Sequence, residues 1–241
     1  MTVQTSDKTS AFILGAFICL GLGLLGYLLA GAAIDFKQYD RSVTVKGLSE
    51  REYLADIVIW PIEFTVADND LSRLYRSIDD YTFRIKAFLE KRGIKAQEIT
   101  FSSPSINDKT AQQYSGGPAP QYRYSANQTV TVYSNNIEGV RKVMSQLSEL
   151  GKQGIVFTGG GYQYQTEYIF TRLNEVKPEM IEEATRKARE VADKFAKDSQ
   201  STLGKIKQAS QGQFSINARD KNNPHIKRVR VVSTVQYYLS D

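Results

Sequence analysis

The stretch YLADIVIWPIEFTV, residues 53–66, decides the fold class of this chain. It is rich in β-branched and aromatic side chains, which are enriched in β-strands. Pro61 lies inside the stretch and has no backbone N–H to donate, so it marks a sheet edge or a bulge. The sequence therefore predicts one long strand from Tyr53 to Val66, and the neighbouring segments are interpreted outward from it.

The segment after this strand has the pattern of an amphipathic helix. Asp70 is a suitable N-cap, and Gly93 follows Lys91 and Arg92 as a C-terminal stop signal. The apolar residues between them recur at spacings of three and four, as on one helix face. They are Leu71, Leu74, Ile78, Tyr81, Ile85, Phe88 and Leu89.

Further strands and one further helix are predicted up to residue 170, with a polar loop over Asn107 to Pro120. The predicted strands are Ile99–Ile106, Tyr122–Tyr133 and a last one formed by Ile155–Phe157 and, after a glycine break, Tyr162–Phe170. The helix runs from Asn136 to Gly151. The order from residue 53 onward is strand, helix, strand, strand, helix, strand. This is the split βαβ order of a ferredoxin-like fold, in which an antiparallel sheet carries helices on one face.

The remaining segments extend this arrangement. Arg41 to Lys46 alternates as a short strand that Gly47 breaks, and a long helix begins near Pro178 and runs to about Gln200. Two final strands are predicted near Ile206–Ala209 and Ile226–Leu239. The predicted class is α+β, a ferredoxin-like βαββαβ arrangement extended by a further long helix and two strands.

An apolar run lies ahead of this domain. Ala11 to Ile34 contains 24 residues without a formal charge, and about 20 apolar helical residues cross a bilayer core. We predict a tail over residues 1–10, a transmembrane helix over 11–34, a polar neck over 35–40 and one domain over 41–241. The run exceeds the core of a signal peptide, about 7–15 residues, but Ala30-Gly31-Ala32 resembles a cleavage site, so cleavage stays an alternative.

One face of the predicted transmembrane helix carries small residues. Ala11, Gly15, Cys19 and Gly23 recur every four residues, which lets helix backbones approach closely. The alternative is that Gly and Ala are simply frequent in membrane helices. The flanking charges favour a cytoplasmic domain by a small margin, because Lys37, Arg41 and Lys46 follow the run and only Lys8 precedes it.

Composition argues against several function classes. Lys plus Arg number 31 against 26 acidic residues, and these charges are interspersed, so no nucleic-acid partner is expected. The one cysteine, Cys19, lies in the apolar run, and the one histidine, His225, follows Pro224 in a polar turn and is interpreted as a solvated loop residue. We expect no metal, no cofactor and no catalytic residues, because no nucleophile, phosphate-binding or metal-ligand motif is present.

Two groups in the predicted strands are candidate functional residues. Tyr162, Tyr164 and Tyr168 would share one strand face with Phe170, either as a ligand-binding face or as part of the core. Lys227, Arg228 and Arg230 lie in the last strand, where they either protect a sheet edge or line a pore or subunit contact.

The long helix carries the third candidate group. Ala184, Ala188, Ala192 and Ala196 form a continuous seam at spacings of four. Such a seam permits close packing within the protomer or between subunits, and both interpretations stay open.

The order of motifs resembles the SIMPL-domain family of bacterial envelope proteins, over about Arg41 to Leu239. The resemblance rests on five short segments, SVTVKG (42–47), AD (55–56), RGI (92–94), YRYSA (122–126) and LGKI (203–206). The family includes periplasmic proteins related to oxidative stress and an immunogenic periplasmic protein. The resemblance implies an α+β domain in the periplasm and large homo-oligomeric rings, and it supplies no catalytic residues.

Two hypotheses follow. The first is a single-pass protein of the bacterial inner membrane, whose periplasmic domain forms a non-catalytic homo-oligomeric ring or chamber with a scaffold or envelope-stress role. Its partners would be the bilayer, through residues 11–34, and further copies of the chain. The second is a monomeric or dimeric binding module that uses the Tyr162–Phe170 face and the loop over residues 107–120.

Overall fold

The computed structural model describes residues 4–39, 41–111, 121–158 and 165–240, and in the first helix the side chains of residues 10–32. The protein is α+β with an N-terminal apolar helix. The helices are α1 (Gln4–Tyr39), α2 (Leu71–Lys91), α3 (Ile137–Met144), α4 (Ser148–Gly151) and α5 (Leu173–Asp198). The strands are β1 (Ser42–Leu54), β2 (Ile57–Asp68), β3 (Ile99–Phe101), β4 (Ser105–Asp108), β5 (Tyr124–Ser134), β6 (Val156–Phe157), β7 (Glu167–Ile169), β8 (Thr202–Gln211), β9 (Ser215–Ala218) and β10 (Ile226–Ser240).

The strands form two sheets. In one, β10 lies between β1 and β8, and β9 pairs with the first residues of β10. In the other the order is β3-β5-β2-β6, with β4 also pairing with β5 and β7 with β2. The pairings of β2 and β5 with their neighbours are antiparallel.

The chain divides into two compact units, which we call the terminal unit and the central unit. The terminal unit comprises Met1–Ser49, Pro178–Phe214 and Val231–Asp241. The central unit comprises Glu50–Lys177 and Ser215–Arg230. A buried apolar cluster lies in each, and the larger one, in the central unit, joins β2 and β5 to the apolar faces of α2 and α3.

The stretch 53–66 is divided rather than continuous, which corrects the prediction of one long strand. β1 ends at Leu54 and β2 begins at Ile57. Between them the Asp56 carboxylate accepts hydrogen bonds from the backbone N–H and the hydroxyl of Thr171, both at 3.0 Å. These bonds to a segment 115 residues away hold the chain in a corner between the two strands.

Pro61 lies in the middle of β2. It lies opposite Thr131 of β5 in an unbroken register. On the other side of β2, β7 pairs with residues 57–59 and β6 with residues 64 and 65, so among the described residues no strand pairs with Pro61 on that side. β2 has strand partners on both sides, and its register with β5 has no bulge at Pro61. The predicted sheet edge or bulge at Pro61 is therefore not found in this pairing.

The predicted helix α2 is confirmed, together with its N-cap, its apolar face and its C-terminal glycine. The Asp70 carboxylate accepts from the Arg73 backbone N–H at 2.8 Å, and the apolar stripe supplies the buried residues Leu74, Ile78, Ile85, Phe88 and Leu89. Gly93 has φ of 90°, a conformation that glycine adopts at little cost, and it directly follows the C-cap Arg92.

Several other bounds differ from the predictions. The strand predicted over residues 99–106 is divided into β3 and β4 around Pro104, and the helix predicted from Asn136 to Gly151 is divided into α3 and α4. The prediction missed β9. Helix α5 begins at Leu173, which places Pro178 in its second turn rather than near its start. Gly47 does not end a strand, because β1 continues through it to Leu54.

Candidate functional site

The apolar surface of α1 has no covering partner among the described residues. The window from Ser10 to Ala32 is long and apolar enough to cross a membrane, and none of it is buried. A Cβ placed on Gly15 or Gly23 would meet no atom within 4 Å, and the thiol of Cys19 is free and exposed. Ala11 lies exposed in the same helix. Length and composition fit a membrane anchor or a signal sequence.

The alanine seam faces the protomer itself. Ala184, Ala188, Ala192 and Ala196 are buried, and two of them share a cluster with Val45, Val235 and Tyr237. All of these residues belong to the terminal unit. Of the two interpretations left open for the seam, packing within the protomer is the one that the described structure contains.

Gly47 explains why the seam is made of alanine. A Cβ built on Gly47 would lie 1.8 Å from the carbonyl oxygen of Ala184 and 2.5 Å from the backbone nitrogen of Ala188. The backbone of β1 therefore runs directly against the backbone of α5, which only glycine and small residues allow. The buried Ser49 hydroxyl, two residues on, donates to Glu183 Oε2 of the same helix at 2.8 Å.

Arg228 and Arg230 of β10 are exposed and lie in a charge network of the central unit, whereas Lys227 is only partly exposed. Glu50 is 3.8 Å from Arg228 Nε and 3.8 Å from Arg230 Nε, and Arg228 Nη2 donates to the Arg219 carbonyl at 3.2 Å. Burial lowers the pKa of Lys227, and the carboxylate of Glu167 opposes that shift. The edge-strand role is wrong for these residues, because β10 has strand partners on both sides.

The aromatic group is only partly inside the described chain. Tyr162 and Tyr164 lie outside the described residues. Tyr168 packs against the central core, and Phe170 is buried with its ring stacked on Tyr53 at 5.3 Å. For the two described aromatic residues, the core interpretation therefore accounts for the contacts.

A polar corner of the central unit was not anticipated from the sequence. His225 is only 9% exposed, so the interpretation as a solvated loop residue was wrong. Its Nε2 lies 3.2 Å from Arg141 Nη1 of α3, and its ring centroid lies 6.0 Å from that of Tyr168 in β7. Nothing in the local sequence signals this, because Arg141 and His225 are 84 residues apart.

The electrostatics of this corner favour a neutral imidazole. Burial lowers the pKa of His225, Arg141 and Arg219 lower it further, and Asp220 opposes them. Burial raises the pKa of the Tyr168 hydroxyl, which Arg141 partly offsets. The Nδ1 atom of His225 is buried and has no hydrogen-bond partner among the described residues.

A shallow cleft of about 520 Å³ lies elsewhere on the central unit, beside the start of α3. It is lined by Gly93, Lys95, Gln97, Glu98, Tyr133, Ser134, Asn135 and Asn136. Within it the Ser134 hydroxyl donates to Glu98 Oε1 at 2.6 Å, and Asn136 caps α3. Over the described ranges, no group of three or more His, Cys, Asp or Glu residues is placed to hold a metal ion.

The sequence matches the model of a known protein family. The model of the SIMPL family, whose description is a protein of unknown function (DUF541), matches residues 43–236, well over half of the chain. The chain belongs to the SIMPL family. The resemblance inferred from the motifs is thereby confirmed, and the match begins within the first motif, SVTVKG, where Gly47 meets α5. No curated protein matches this SIMPL chain.

Proposed function

We propose that this SIMPL protein is a single-pass protein of the bacterial inner membrane whose periplasmic domain assembles into a homo-oligomeric ring or chamber. Its role would be a scaffold or an envelope-stress function without catalytic activity. The observation that carries the proposal is the apolar helix α1, unburied from Ser10 to Ala32, in a chain of the SIMPL family. The ring is the expectation that the resemblance to this family implied. The strand order β3-β5-β2-β6, with α2 and α3 between strands, supports a ferredoxin-like arrangement of the central sheet.

Two features support retention of the helix as an anchor. Its apolar window of 23 residues is longer than the core of about 7–15 residues in a signal peptide. The helix also continues to Tyr39, three residues before β1 begins at Ser42. The periplasmic side is taken from the family, because the flanking charges favour the opposite side only weakly.

Exposed apolar side chains on two helices support self-association. On α2 of the central unit, Phe83 is 70% exposed and Tyr75 is 46% exposed. On α5 of the terminal unit, Phe195 and Val191 are exposed one turn apart. Large exposed apolar side chains are typical of protein interfaces. In an oligomer the anchors would be held side by side, so weak contacts between them would gain from a high effective concentration.

The anchor is tested on the expressed full-length chain. We expect the protein to stay in the membrane fraction after alkaline extraction, because the apolar window buries its side chains in lipid. Intact mass spectrometry should then find the N-terminal segment still attached to the domain. A mature product that begins after Ala32 would contradict the anchor and identify α1 as a signal sequence.

Assembly is tested by mass photometry of the full-length protein in detergent. We expect one species well above the mass of one 27.1 kDa chain with its micelle. A monomer at every concentration would contradict the proposed ring.

Matched glycine variants test whether α1 takes part in the assembly. Gly23→Leu adds bulk to the small-residue face, whereas Gly21→Leu adds the same bulk about 200° away around the helix. We expect Gly23→Leu to raise the dissociation concentration about tenfold or more, in line with lost close packing. Equal effects of both variants would mean that the small-residue face of α1 does not contribute to assembly. The contacts that form the ring would then lie in the domain alone.

A further inference from the structure

The corner around His225 is a candidate regulatory device. His225 is the only histidine of the chain, and its ring is nearly buried in the central unit. Groups from three segments face it, namely Arg141 of α3, Tyr168 of β7, and Arg219 and Asp220 that follow β9. Among the described residues, the charged groups that act on its titration are Arg141, Arg219 and Asp220.

The contact with Arg141 determines where the imidazole proton lies. A guanidinium group can only donate hydrogen bonds, so Nε2 of His225 must accept at the 3.2 Å contact. The ring proton of the neutral form therefore lies on Nδ1. A second proton, on Nε2, would place two donors face to face and two positive charges at hydrogen-bond distance.

Asp220 is the carboxylate that acts on His225, and its oxygens already have partners. Asp220 pairs with Arg219 at 2.9 Å and accepts the backbone N–H groups of Asn222 and Asn223, each at 2.9 Å. Arg219 also lies 3.7 Å from Glu52. The arrangement thus surrounds His225 with two arginines and one neutralised carboxylate, which disfavours an imidazolium ion.

The backbone of His225 holds a structural corner. Its carbonyl accepts from the Ala55 N–H at 2.8 Å, and the next N–H, that of Asp56, donates to Ile169 of β7 at 2.9 Å. Ala55 and Asp56 form the corner between β1 and β2. Displacement of the His225 ring would therefore act directly on the point where these two strands separate.

We propose that His225 is a proton-controlled latch, which holds the β1–β2 corner while the imidazole is neutral and loosens it when the imidazole is protonated. The pH sensitivity comes from the hydrogen bond between Arg141 Nη1 and His225 Nε2, because Nε2 can accept it only while the ring is neutral. The effector of this latch is the proton.

The direction in which stability changes with pH follows from the lowered pKa of His225. The ordinary pKa of histidine is 6.5, and the pKa of folded His225 lies below it because of burial and the two arginines. As the pH falls through 6.5, the unfolded chain binds a proton that the folded chain does not. The contribution of His225 to the unfolding equilibrium constant then rises by up to about tenfold per pH unit until the folded pKa is reached, and is constant below it.

The single histidine makes the test direct. The full-length protein is labelled with [¹³C]histidine in detergent, so one imidazole signal is followed against pH. Hydrogen-exchange protection of the segment that contains Ala55 is measured in parallel, corrected for the intrinsic exchange rate. We expect the signal to titrate below pH 6.5 and the protection to fall over the same range.

Two variants separate the latch from a structural role of the ring. In His225→Gln the part of the pH dependence of protection that comes from the imidazole should be lost, because glutamine does not titrate. In Arg141→Gln the histidine signal should titrate closer to 6.5, because a positive neighbour is gone. If His225→Gln does not fold, the proposal is tested by the pH titration of the His225 imidazole signal in Arg141→Gln.

The proposal is overturned if wild-type His225 titrates at or above 6.5, or if Arg141→Gln leaves its titration unchanged. It is also overturned if folded His225→Gln keeps the wild-type pH dependence at Ala55. Each result concerns the central unit alone and is independent of whether the chain forms a ring.

Discussion

Gly47→Ala is expected to destabilise the terminal unit severely, by about 3 kcal/mol or more, above the usual range for overpacking. The added Cβ would lie 1.8 Å from the Ala184 carbonyl oxygen and 2.5 Å from the Ala188 nitrogen. Both atoms belong to the backbone of α5, so no side-chain rotation relieves the clash. Helix α5 must move away from β1, which exposes the seam and breaks the hydrogen bond from Ser49 to Glu183.

The measurement is denaturant unfolding of the full-length protein in detergent, followed by circular dichroism. Gly151→Ala is the matched control, because a Cβ there meets no atom within 4 Å and its φ is ordinary. We expect this control to remain within about 0.5 kcal/mol of wild type, as for other open surface sites. A Gly47→Ala protein as stable as the control would mean that β1 and α5 are not in contact.

Phe64→Ala is expected to cost the central unit about 3–5 kcal/mol, the usual range for removing a buried aromatic ring. Phe64 lies in β2 with no exposed surface, and its ring meets the Tyr81 ring of α2 edge-on at 6.1 Å. Truncation leaves a cavity between the sheet and the helix that neighbouring side chains fill only in part. The loss would appear as a lower midpoint of unfolding at an unchanged slope.

Phe83→Ala is the control for residue type. It removes the same ring from α2, but from a side chain that is 70% exposed. We expect a change within about 0.5 kcal/mol for the isolated protomer. Similar losses in both variants would contradict the position of Phe64 in the core, whereas a loss of assembly confined to Phe83→Ala would identify an interface.

Local signals predicted the elements that depend on local interactions. The limits of α2 follow from Asp70, which bonds to the third N–H after it, and from Gly93, which adopts a positive φ. Both signals act within one helical turn, so sequence spacing is sufficient. The same holds for the cap of α3, where Asn136 accepts from Gly139 at 3.0 Å.

Signals that depend on distant partners misled the interpretation. Gly47 was interpreted as a strand break, since glycine weakens strands, but here it permits a helix from the other end of the chain to approach. The corner at Ala55 and Asp56 depends on partners at Thr171 and His225. Neither partner could be identified from spacing.

For the candidate functional residues too, the sequence shows the pattern but only the fold shows what it packs against. The small face of α1 and the alanine seam are visible as four-residue periods, but only the fold distinguishes them, because the seam is buried against β1 and the face of α1 is not covered. One of the two interpretations of the basic residues of β10 placed them on an edge strand. Chain order does not determine strand order, and β10 lies inside its sheet.

The sequence alone determined the α+β class, the apolar N-terminal helix and the SIMPL family, because these depend on periodicity, length and short motifs. The tertiary structure decided why Gly47 must be glycine, where the stretch 53–66 bends, and that His225 is buried beside Arg141. These features arise from contacts between residues more than 80 positions apart. No local propensity encodes such contacts, since their energy exists only once both segments have been brought together.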